Sequence, residues 1–211
     1  MDVPDLPIFI VLCGKTGSGK TQVLRQFELC GYPVIDLEKI ASHRGSAFGG
    51  LLLDSQPSQQ HFNNEIEKSF SKFNRSAYIF IENKSASLGK RKIPDWLYKK
   101  MGQGIFIFLD VEKKTRISNI LRQYKNAGKD GFMNSLYKLK KRLSANVMNK
   151  CETFLNAENY EAFIENVLTY YDQTDKYALK NTNIQIKVKS DHPLEIMNQI
   201  LKQLKESGIS I

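Results

Sequence analysis

The stretch Gly14-Lys15-Thr16-Gly17-Ser18-Gly19-Lys20-Thr21 decides the fold of this chain, because it fits the phosphate-binding pattern G-x-x-x-x-G-K-[ST]. An apolar run over residues 8–13 precedes it and predicts a buried strand, and residues 22–29 favour a helix. Small residues let successive backbone N–H groups surround an anion at the positive end of that helix. These eight residues therefore predict a bound di- or triphosphate, with the Lys20 ammonium on its terminal oxygens and the Thr21 hydroxyl on a Mg²⁺ ion.

Composition indicates one soluble globular domain with a basic surface. The chain has 211 residues, of which 41% are hydrophobic and 25% charged, and this is ordinary for a soluble protein. Its length allows a single domain over residues 1–211. The net charge of +9 suits a polyanionic partner such as RNA or an anionic substrate, although solubility alone also explains it. No stretch approaches the roughly 18 apolar residues of a membrane helix, so we expect no membrane segment and a cytoplasmic location.

The three cysteines predict neither a disulfide framework nor a zinc site. Their number is odd and no C-x-x-C spacing occurs, which favours a reducing compartment. Cys13 ends a predicted buried strand and Cys30 lies in the last turn of the first helix, so we expect both to pack in the core. Cys151 lies in a more polar region, which is compatible with an exposed thiol of no special chemistry.

Five mainly apolar runs predict the strands of a sheet, over residues 8–13, 33–37, 78–82, 105–110 and 183–188. Helical patterns cover residues 59–73, 112–155, 156–171 and 193–206, and another helix begins near residue 93. Strands that alternate with helices indicate a parallel sheet covered on both faces. The sequence therefore predicts an α/β fold, a P-loop NTPase-like three-layer sandwich with a mostly parallel sheet of about five strands. Its core covers about 7–111 and 183–208, and the basic helical segment of about 112–182 is predicted to be a lid or insertion.

Acidic residues stand at the predicted strand ends, where ligands bind in parallel sheets. Asp36 lies at the end of the second strand and Glu38 just beyond it, while Glu82 and Asp110 end the third and fourth. An acid at such a tip holds Mg²⁺ or its waters in phosphate-loop folds, and a solvated strand end is the alternative. We expect Glu82 foremost, and Asp36 with it, to join Thr21 around the metal ion.

The long loop after the second strand carries a second group of candidates. Residues 41–60 are rich in Gly, Ser, His and Arg and lack periodicity, as functional loops often do. Within it, His43-Arg44-Gly45-Ser46 offers a titratable imidazole, a guanidinium fork and a hydroxyl beside the phosphate loop. We therefore expect His43 and Arg44, with Lys20, to take part in catalysis, although a lone histidine is more often structural.

Cations and aromatic residues are interleaved between the third and fourth strands. They are Lys84, Lys90, Arg91, Lys92, Trp96 and Tyr98. Cations can bind phosphates and aromatic rings can stack on an unpaired base, so we expect Lys90, Arg91 and Trp96 to contact RNA. A solvated basic helix start is the alternative, and the basic residues of 138–142 are open to both interpretations.

Two further blocks are more specific than the phosphate loop. One contains Asp36-Leu37-Glu38, Ala41, His43-Arg44-Gly45-Ser46-Ala47-Phe48-Gly49, Gln56-Pro57-Ser58-Gln59 and Phe62. The other contains Glu82-Asn83, Ser85, Leu88-Gly89 and Ile93-Pro94. With the phosphate loop, these blocks resemble the P-loop half of the bacterial and archaeal tRNA 2-selenouridine synthases over about residues 8–110. The helical remainder resembles that family loosely.

The resemblance implies an enzyme that acts on the wobble uridine of certain tRNAs. Enzymes of this family replace the sulfur of 2-thiouridine with selenium from selenophosphate, through an S-geranyl intermediate made from geranyl diphosphate. The resemblance thus implies tRNA as the partner and selenophosphate as a co-substrate of the full reaction. It also implies Ser46, Gln56 and Ser85 as residues near the substrate or the tRNA.

The chain departs from the family pattern in two places. After the third strand the family usually has an acid and an arginine around the serine, whereas this chain reads Glu82-Asn83-Lys84-Ser85-Ala86. The family's enzymes also carry an amino-terminal rhodanese domain with a catalytic cysteine, whereas this chain begins almost at the first strand, with no cysteine in a rhodanese-like loop. We expect the rhodanese part to be a separate polypeptide or the rest of a longer one, or this chain to carry out only part of the reaction.

Three functions are compatible with these patterns. The loop can hold geranyl diphosphate, whose pyrophosphate leaves with stabilisation by Lys20, the Thr21-bound metal and Arg44, and the resemblance favours this function. The phosphate loop alone instead suggests ATP or GTP in a small-molecule or nucleoside kinase. The basic composition supports a third function, a non-catalytic tRNA-binding module with a regulatory nucleotide site.

Overall fold

A computed structural model describes residues 7–174, 182–188, 190–209 and 211, and it contains the predicted parallel sheet. The strands are β1 (Ile8–Cys13), β2 (Val34–Ile35), β3 (Tyr78–Glu82), β4 (Ser87–Leu88), β5 (Arg91–Lys92), β6 (Ile105–Asp110) and β7 (Ile184–Lys187). The helices are α1 (Lys20–Leu29), α2 (Leu37–Ala41), α3 (Gln59–Phe73), α4 (Asp95–Gly102), α5 (Lys113–Tyr124), α6 (Gly128–Tyr137), α7 (Ala145–Asn156), α8 (Tyr160–Thr174) and α9 (Pro193–Glu206). Five strands form a parallel sheet in the order β2-β3-β1-β6-β7, and β4 and β5 form a separate antiparallel hairpin.

The central strand β1 contributes side chains to two apolar cores, one on each face of the sheet. Ile10 and Leu12 pack with residues of α1 and α9 on one face of the sheet. Phe9 and Val11 pack with residues of α3 and α4 on the other face. A strand buried on both faces has to be apolar at every position, which explains the uninterrupted apolar run before the phosphate loop. The predicted α/β fold with helical layers on both faces of a five-stranded sheet is confirmed.

The segment from α5 to α8 builds a third apolar cluster of its own. Leu136, Cys151, Leu155 and Phe163 are at most 1% exposed within it. α5 packs against α8, and α7 packs against both α6 and α8. Residues 175–181, at the end of the predicted helical segment, lie outside the described residues. Within the ranges that are described, no helix combines the length and the apolarity needed to cross a membrane.

Capping side chains move two predicted boundaries. The strand predicted over residues 33–37 is reduced to β2, because the Asp36 carboxylate accepts a hydrogen bond from the Lys39 N–H at 3.0 Å and starts α2. The Ser58 hydroxyl likewise accepts from the His61 N–H at 3.1 Å and starts α3. The loop predicted over residues 41–60 is therefore confined to residues 42–58.

The cysteines differ from their predicted environments at two positions. Cys13 is buried as predicted, but Cys30 follows the end of α1 and is exposed. Cys151 is buried, because its spacing from Met148 and Leu155 places it on the apolar stripe of α7. Burial raises the pKa of Cys13 to about 12 and that of Cys151 to about 11.

We predict that iodoacetamide at about pH 8 alkylates Cys30 of the native protein and leaves Cys13 and Cys151 unmodified, because only an accessible thiolate reacts. Peptide mapping by mass spectrometry measures the modification. The Cys30→Ser variant serves as a control that is alkylated only after unfolding in guanidinium chloride. Alkylation of Cys151 as fast as Cys30 in the native protein would contradict the described packing of α7.

Candidate phosphate-binding site

Gly14 and Gly17 stand at positions of the phosphate loop that require glycine. Gly14 has φ of 153° and Gly17 has φ of 83°, values that residues with a Cβ rarely adopt. A Cβ on Gly17 would also lie 2.8 Å from the Arg116 carbonyl oxygen. The loop leads directly into α1 at Lys20, where the first helical N–H groups have no intrahelical partner and the dipole is positive. Loop and helix start together form a backbone cradle for an anion.

The Lys20 ammonium is held at this cradle by the loop itself. Its Nζ donates to the Gly14 carbonyl oxygen at 2.8 Å, to the Lys15 carbonyl oxygen at 3.3 Å and to Ser18 Oγ at 3.3 Å. It also lies 3.9 Å from Glu82 Oε1. The positive charge predicted for the terminal phosphate is thus positioned inside the loop.

Two carboxylates, Glu38 and Glu82, meet beside the loop, and we call them the acid pair. Thr21 Oγ1 lies 3.1 Å from Glu38 Oε2 and 2.9 Å from Glu82 Oε2. On the other side, Lys84 Nζ lies 2.5 Å from Glu38 Oε1 and 2.6 Å from Glu82 Oε1. The hydroxyl and the ammonium therefore hold the acid pair together from two directions.

The charges of this cluster stabilise one another. Burial alone raises the pKa of Glu82, but the charges of Lys84 and Lys20 and the hydrogen bonds from Lys84 and Thr21 outweigh it and lower the pKa. Burial likewise opposes the charge of Lys84, yet the acid pair raises its pKa above the ordinary value. For Glu38, burial and the charge of Glu82 exceed the effect of Lys84 and raise the pKa. The Glu82–Lys84 ion pair is therefore charged at neutral pH.

The predicted magnesium site has suitable oxygen ligands, but the Lys84 ammonium already occupies a position between them. Thr21, Glu38 and Glu82 offer the ligands that Mg²⁺ prefers. One oxygen of each acid is, however, bonded to the Lys84 ammonium. Asp36 caps α2 and does not line the site cavity. No group of three or more His, Cys, Asp or Glu side chains in the described part of the chain is arranged to hold a metal. These residues fit an ammonium better than a magnesium ion.

A cavity of about 590 Å³ extends from the phosphate loop into the helical segment, a size typical of small-molecule sites. Its polar wall contains residues of the phosphate loop, the acid pair and Lys84. Its apolar wall contains Phe48, Phe132, Phe163, Ile164, Val167 and Leu168. One continuous space therefore has an anion-binding end and a hydrophobic end.

Comparison with known proteins identifies the family. The family described as "tRNA 2-selenouridine synthase AAA domain" matches residues 7–207. The chain belongs to this family. The tRNA 2-selenouridine synthase of Nitrosomonas eutropha is 37% identical over 119 residues, which cover 54% of this chain and 30% of that protein. The tRNA 2-selenouridine synthase of Shewanella sediminis is 29% identical over 229 residues, which cover 94% of this chain and 60% of that protein.

The chain thus spans at most 60% of the length of either relative. Among solved structures, TT1252 from Thermus thermophilus aligns with a TM-score of 0.49 and 14% identity, covering 96% of this chain and 98% of that one. The family match confirms the resemblance seen in the sequence blocks, and it includes the helical segment that resembled the family only loosely.

In this member of the tRNA 2-selenouridine synthase AAA domain family, the loop of residues 43–46 places Arg44 and Ser46 at the cavity. Arg44 Nη1 donates to the Leu51 carbonyl oxygen at 2.7 Å, and the guanidinium lies 5.3 Å from the centre of the Tyr124 ring. Ser46 Oγ accepts from the Phe48 N–H at 3.2 Å. Both side chains therefore line the cavity with fixed partners.

His43 does not line the cavity. Its Nδ1 accepts from the Gly45 N–H at 2.9 Å, and a Cβ on Gly49 would lie 2.7 Å from its ring. Burial and the positive charges of Lys138, Lys84 and Arg44 lower its pKa, so the ring is neutral and can accept this bond. This position makes His43 a structural residue of the turn, and its role in catalysis remains a prediction.

Gln56 does not line the cavity and instead connects its own loop to α2 and to the β4–β5 hairpin. Its Nε2 donates to the Ala41 carbonyl oxygen at 3.0 Å and to the Leu88 carbonyl oxygen at 2.9 Å. Its Oε1 accepts from the Lys90 N–H at 2.7 Å. With every polar atom of its amide engaged by backbone, Gln56 positions the β4–β5 hairpin against α2.

Of the other residues predicted to contact the substrate or RNA, some line the cavity and some lie on the protein surface. Ser85 lines the cavity, and its hydroxyl donates to the Ser87 carbonyl oxygen at 2.9 Å. Lys90 is exposed on the hairpin and Arg91 is half-buried. Trp96 packs edge-on against Phe70 with ring centres 5.1 Å apart, so part of its ring is core. Only Ser85 of these four faces the cavity, and contact of the others with RNA remains a prediction.

Arg116 was missed as a site residue, because sequence reasoning counted it among the basic residues of the helical segment. It is 3% exposed, and Nη1 and Nη2 donate to Asp172 Oδ1 and Oδ2, both at 2.8 Å. Nη1 also donates to the Thr16 carbonyl oxygen at 3.2 Å. One guanidinium therefore ties α5 and α8 to the phosphate loop. The partners are 100 and 56 residues away in the chain, so no local pattern announces them.

We predict that Asp172→Ala lowers the free energy of unfolding by about 3 kcal/mol, because it leaves the buried Arg116 charge without its carboxylate. Urea denaturation followed by circular dichroism measures the change. Asp191→Ala is the matched control, since it removes an exposed pair with Arg122 at 3.2 Å and should cost at most about 1 kcal/mol. Equal small effects of both substitutions would show that the Arg116 contact does not hold α8 in place.

Proposed function

We propose that this chain is the diphosphate-binding part of an enzyme that converts 2-thiouridine at the tRNA wobble position into 2-selenouridine through an S-geranyl intermediate. Membership of the tRNA 2-selenouridine synthase AAA domain family supports the overall reaction. The observation that carries the finer proposal is the cavity with a phosphate loop at one end and an apolar wall at the other. Geranyl diphosphate has the same two chemistries in one molecule.

The phosphate loop would hold the diphosphate. The N–H groups at the start of α1 and the Lys20 ammonium provide donors for its oxygens. Lys20 Nζ is bonded to loop carbonyls at 2.8 and 3.3 Å, so it can turn from them to a phosphate oxygen without moving far. Arg44 also lines the cavity. Its guanidinium has N–H groups besides the one bonded to the Leu51 carbonyl oxygen, and these could donate to the diphosphate.

The apolar end would hold the geranyl chain. Phe163, Ile164, Val167 and Leu168 present one face of α8 to the cavity, at the spacing of an amphipathic helix. A hydrocarbon chain gains about 25 cal/mol for each Å² of apolar surface removed from water there. The hydroxyl groups of a sugar or nucleoside substrate would find no hydrogen-bond partner on these four side chains, and unpaired polar groups are costly.

The proposed first step is alkylation of sulfur. The 2-thiouridine sulfur attacks C1 of the geranyl group, the C1–O bond breaks, and pyrophosphate leaves with the bonding electron pair. The uridine base gives up its N3 proton to water, so the S-geranyl product is neutral. The backbone N–H groups of the loop, Lys20 and Arg44 would stabilise the charge that develops on the leaving pyrophosphate.

The second step would need groups beyond those of the cavity. The selenium of selenophosphate would bond to C2 of the base as the geranyl thiolate leaves, and water would then cleave the P–Se bond and release phosphate. We propose that a rhodanese domain, on a separate polypeptide or on another part of the same one, acts in this step. The tRNA would approach over the basic hairpin and the residues near 138–142, because phosphate contacts by Lys and Arg give most non-specific RNA affinity.

A nucleotide-dependent kinase is the second candidate, and one observation favours it. A smaller cavity of about 240 Å³ adjoins the outer side of the phosphate loop at Ser18 and Gly19. Its polar lining includes Gln22, Asn119, Arg122, Ser190 and Asp191. Such a pocket beside a triphosphate site has donors and acceptors suitable for a ribose or a base.

We predict that the chain, incubated with 2-thiouridine tRNA and geranyl diphosphate in the absence of ATP, forms the S-geranyl nucleoside, detected by mass spectrometry of digested tRNA. Val167→Trp, which fills the apolar end, should lower the rate at limiting geranyl diphosphate by about tenfold or more. The affinity of the Val167→Trp variant for inorganic pyrophosphate, measured by calorimetry, should stay unchanged. An unchanged affinity would show that its phosphate loop is intact.

A wild-type protein that forms no alkylated nucleoside would contradict geranyl transfer. If it instead turns over ATP when a small acceptor is added, and Lys20→Ala abolishes that turnover, the kinase is supported. Salt-sensitive tRNA binding without either reaction would support the non-catalytic tRNA-binding module.

We predict that tRNA affinity falls with salt and that Lys90→Ala lowers the slope of log affinity against log salt by about one, because one phosphate contact is lost. Filter binding over a range of potassium chloride concentrations measures the slope. Lys202→Ala is the control, because Lys202 is exposed on α9 and pairs there with Glu206. A change of slope that is equal in both variants would mean that the hairpin is not the tRNA-binding surface.

A further inference from the structure

Lys84 is a charged side chain directed into the protein from a surface turn. It follows β3 by two residues, and only 10% of its side chain is exposed. Its Nζ contacts one oxygen of each member of the acid pair, at 2.5 and 2.6 Å. The other oxygen of each acid lies at the Thr21 hydroxyl, at 3.1 and 2.9 Å. The four groups form a closed ring at the edge of the phosphate loop.

We infer that the Lys84 ammonium serves as a built-in cation of this site, in the position where a phosphate-loop protein would otherwise hold a divalent metal, so that the chain binds its ligand without Mg²⁺. The inference rests on the proposed function only in taking a diphosphate as the ligand.

The charges of the cluster balance without a metal. Glu38 and Glu82 provide two carboxylates, and Lys84 and Lys20 are the cations beside them. Lys84 balances one of the two negative charges at hydrogen-bond distance from both acids, and Lys20, 3.9 Å from Glu82, balances the other while it is bonded to the loop. A divalent ion placed among the same oxygens would add two positive charges next to an ammonium at hydrogen-bond distance, which is strongly repulsive in a buried site.

Geometry gives the same answer. Lys84 Nζ is hydrogen-bonded to one oxygen of each acid, and a Mg²⁺ ion at about 2.0–2.1 Å from the same oxygens would have to displace it. The backbone around Lys84 is fixed by hydrogen bonds on both sides of it. The Asn83 N–H donates to the Leu12 carbonyl oxygen at 2.9 Å, and the Ile93 N–H donates to the Ala86 carbonyl oxygen at 2.9 Å.

Metal binding by the protein alone tests the inference without any phosphate ligand. Mn²⁺ is titrated into the wild type, Lys84→Met and Lys84→Met/Glu82→Gln, and the free ion is followed by electron paramagnetic resonance. We expect Lys84→Met to bind one Mn²⁺ per chain at least about tenfold more tightly than the wild type, because the acid pair loses its cation. The added Glu82→Gln substitution should abolish that gain. A gain below about tenfold, or a gain that survives Glu82→Gln, overturns the inference.

A second measurement uses only the wild type and therefore does not depend on the folding of the variants. Pyrophosphate binding is measured by calorimetry in EDTA and in excess Mg²⁺. We expect affinities that differ by less than about fivefold, and a larger loss in EDTA overturns the inference. Absence of pyrophosphate binding under both conditions would contradict the proposed function instead, while the Mn²⁺ titration would still decide the role of Lys84. Thermal unfolding of each variant confirms that it is folded.

Discussion

The parallel pairing of β1 and β3 is the constraint on which the site depends. Leu12 lies opposite Glu82 in the register of the two strands, and the Asn83 N–H donates to the Leu12 carbonyl oxygen at 2.9 Å. Since parallel strands end at the same edge of a sheet, the turn after β3 passes beside the phosphate loop that follows β1. Backbone pairing alone therefore brings Glu82 and Lys84 to the loop, where a change of side-chain rotamer is enough to form their ion pair.

Charge balance then determines what this edge can do. A carboxylate that is 4% exposed, as Glu82 is, is stable only when paired. Lys20 approaches it to 3.9 Å, but a lysine that has to move onto a phosphate cannot also remain the partner of an acid. Under the proposed function, Lys84, at 2.6 Å, would keep the acid paired while Lys20 is engaged by the ligand. The ligand and the acids would then each need a cation of their own, and Lys20 and Lys84 would supply them.

The sheet could be predicted from the sequence because burial on both faces leaves a visible trace, an uninterrupted apolar run before Gly14 and before Glu82. The edge strand β7 was predictable for a related reason, since one wet face produces alternation. The predicted strand boundaries were wrong where a side chain competes with the backbone for a hydrogen bond. The Asp36 carboxylate does so when it accepts from the Lys39 N–H and ends β2 early.

The phosphate loop and Glu82 were predictable as site residues because spacing and strand position suffice for them. Lys84 and Arg116 were interpreted as surface cations, because no local pattern tells whether a cation points to water or to an acid far away in the chain.

The Arg116 contact also bears on what the cavity can select. One guanidinium bonds the Thr16 carbonyl oxygen in the phosphate loop and the Asp172 carboxylate on α8. The separation between the anion-binding end and the apolar face of α8 is therefore set by a buried, bidentate pair and not by loose packing. A ligand that occupies both ends has to match that separation. Under the proposed function, a shorter chain leaves apolar wall uncovered and a longer one has to displace close-packed side chains, and both cost binding energy. Under the proposed function, the Arg116–Asp172 pair would thus give the cavity a means of discriminating prenyl chains by length.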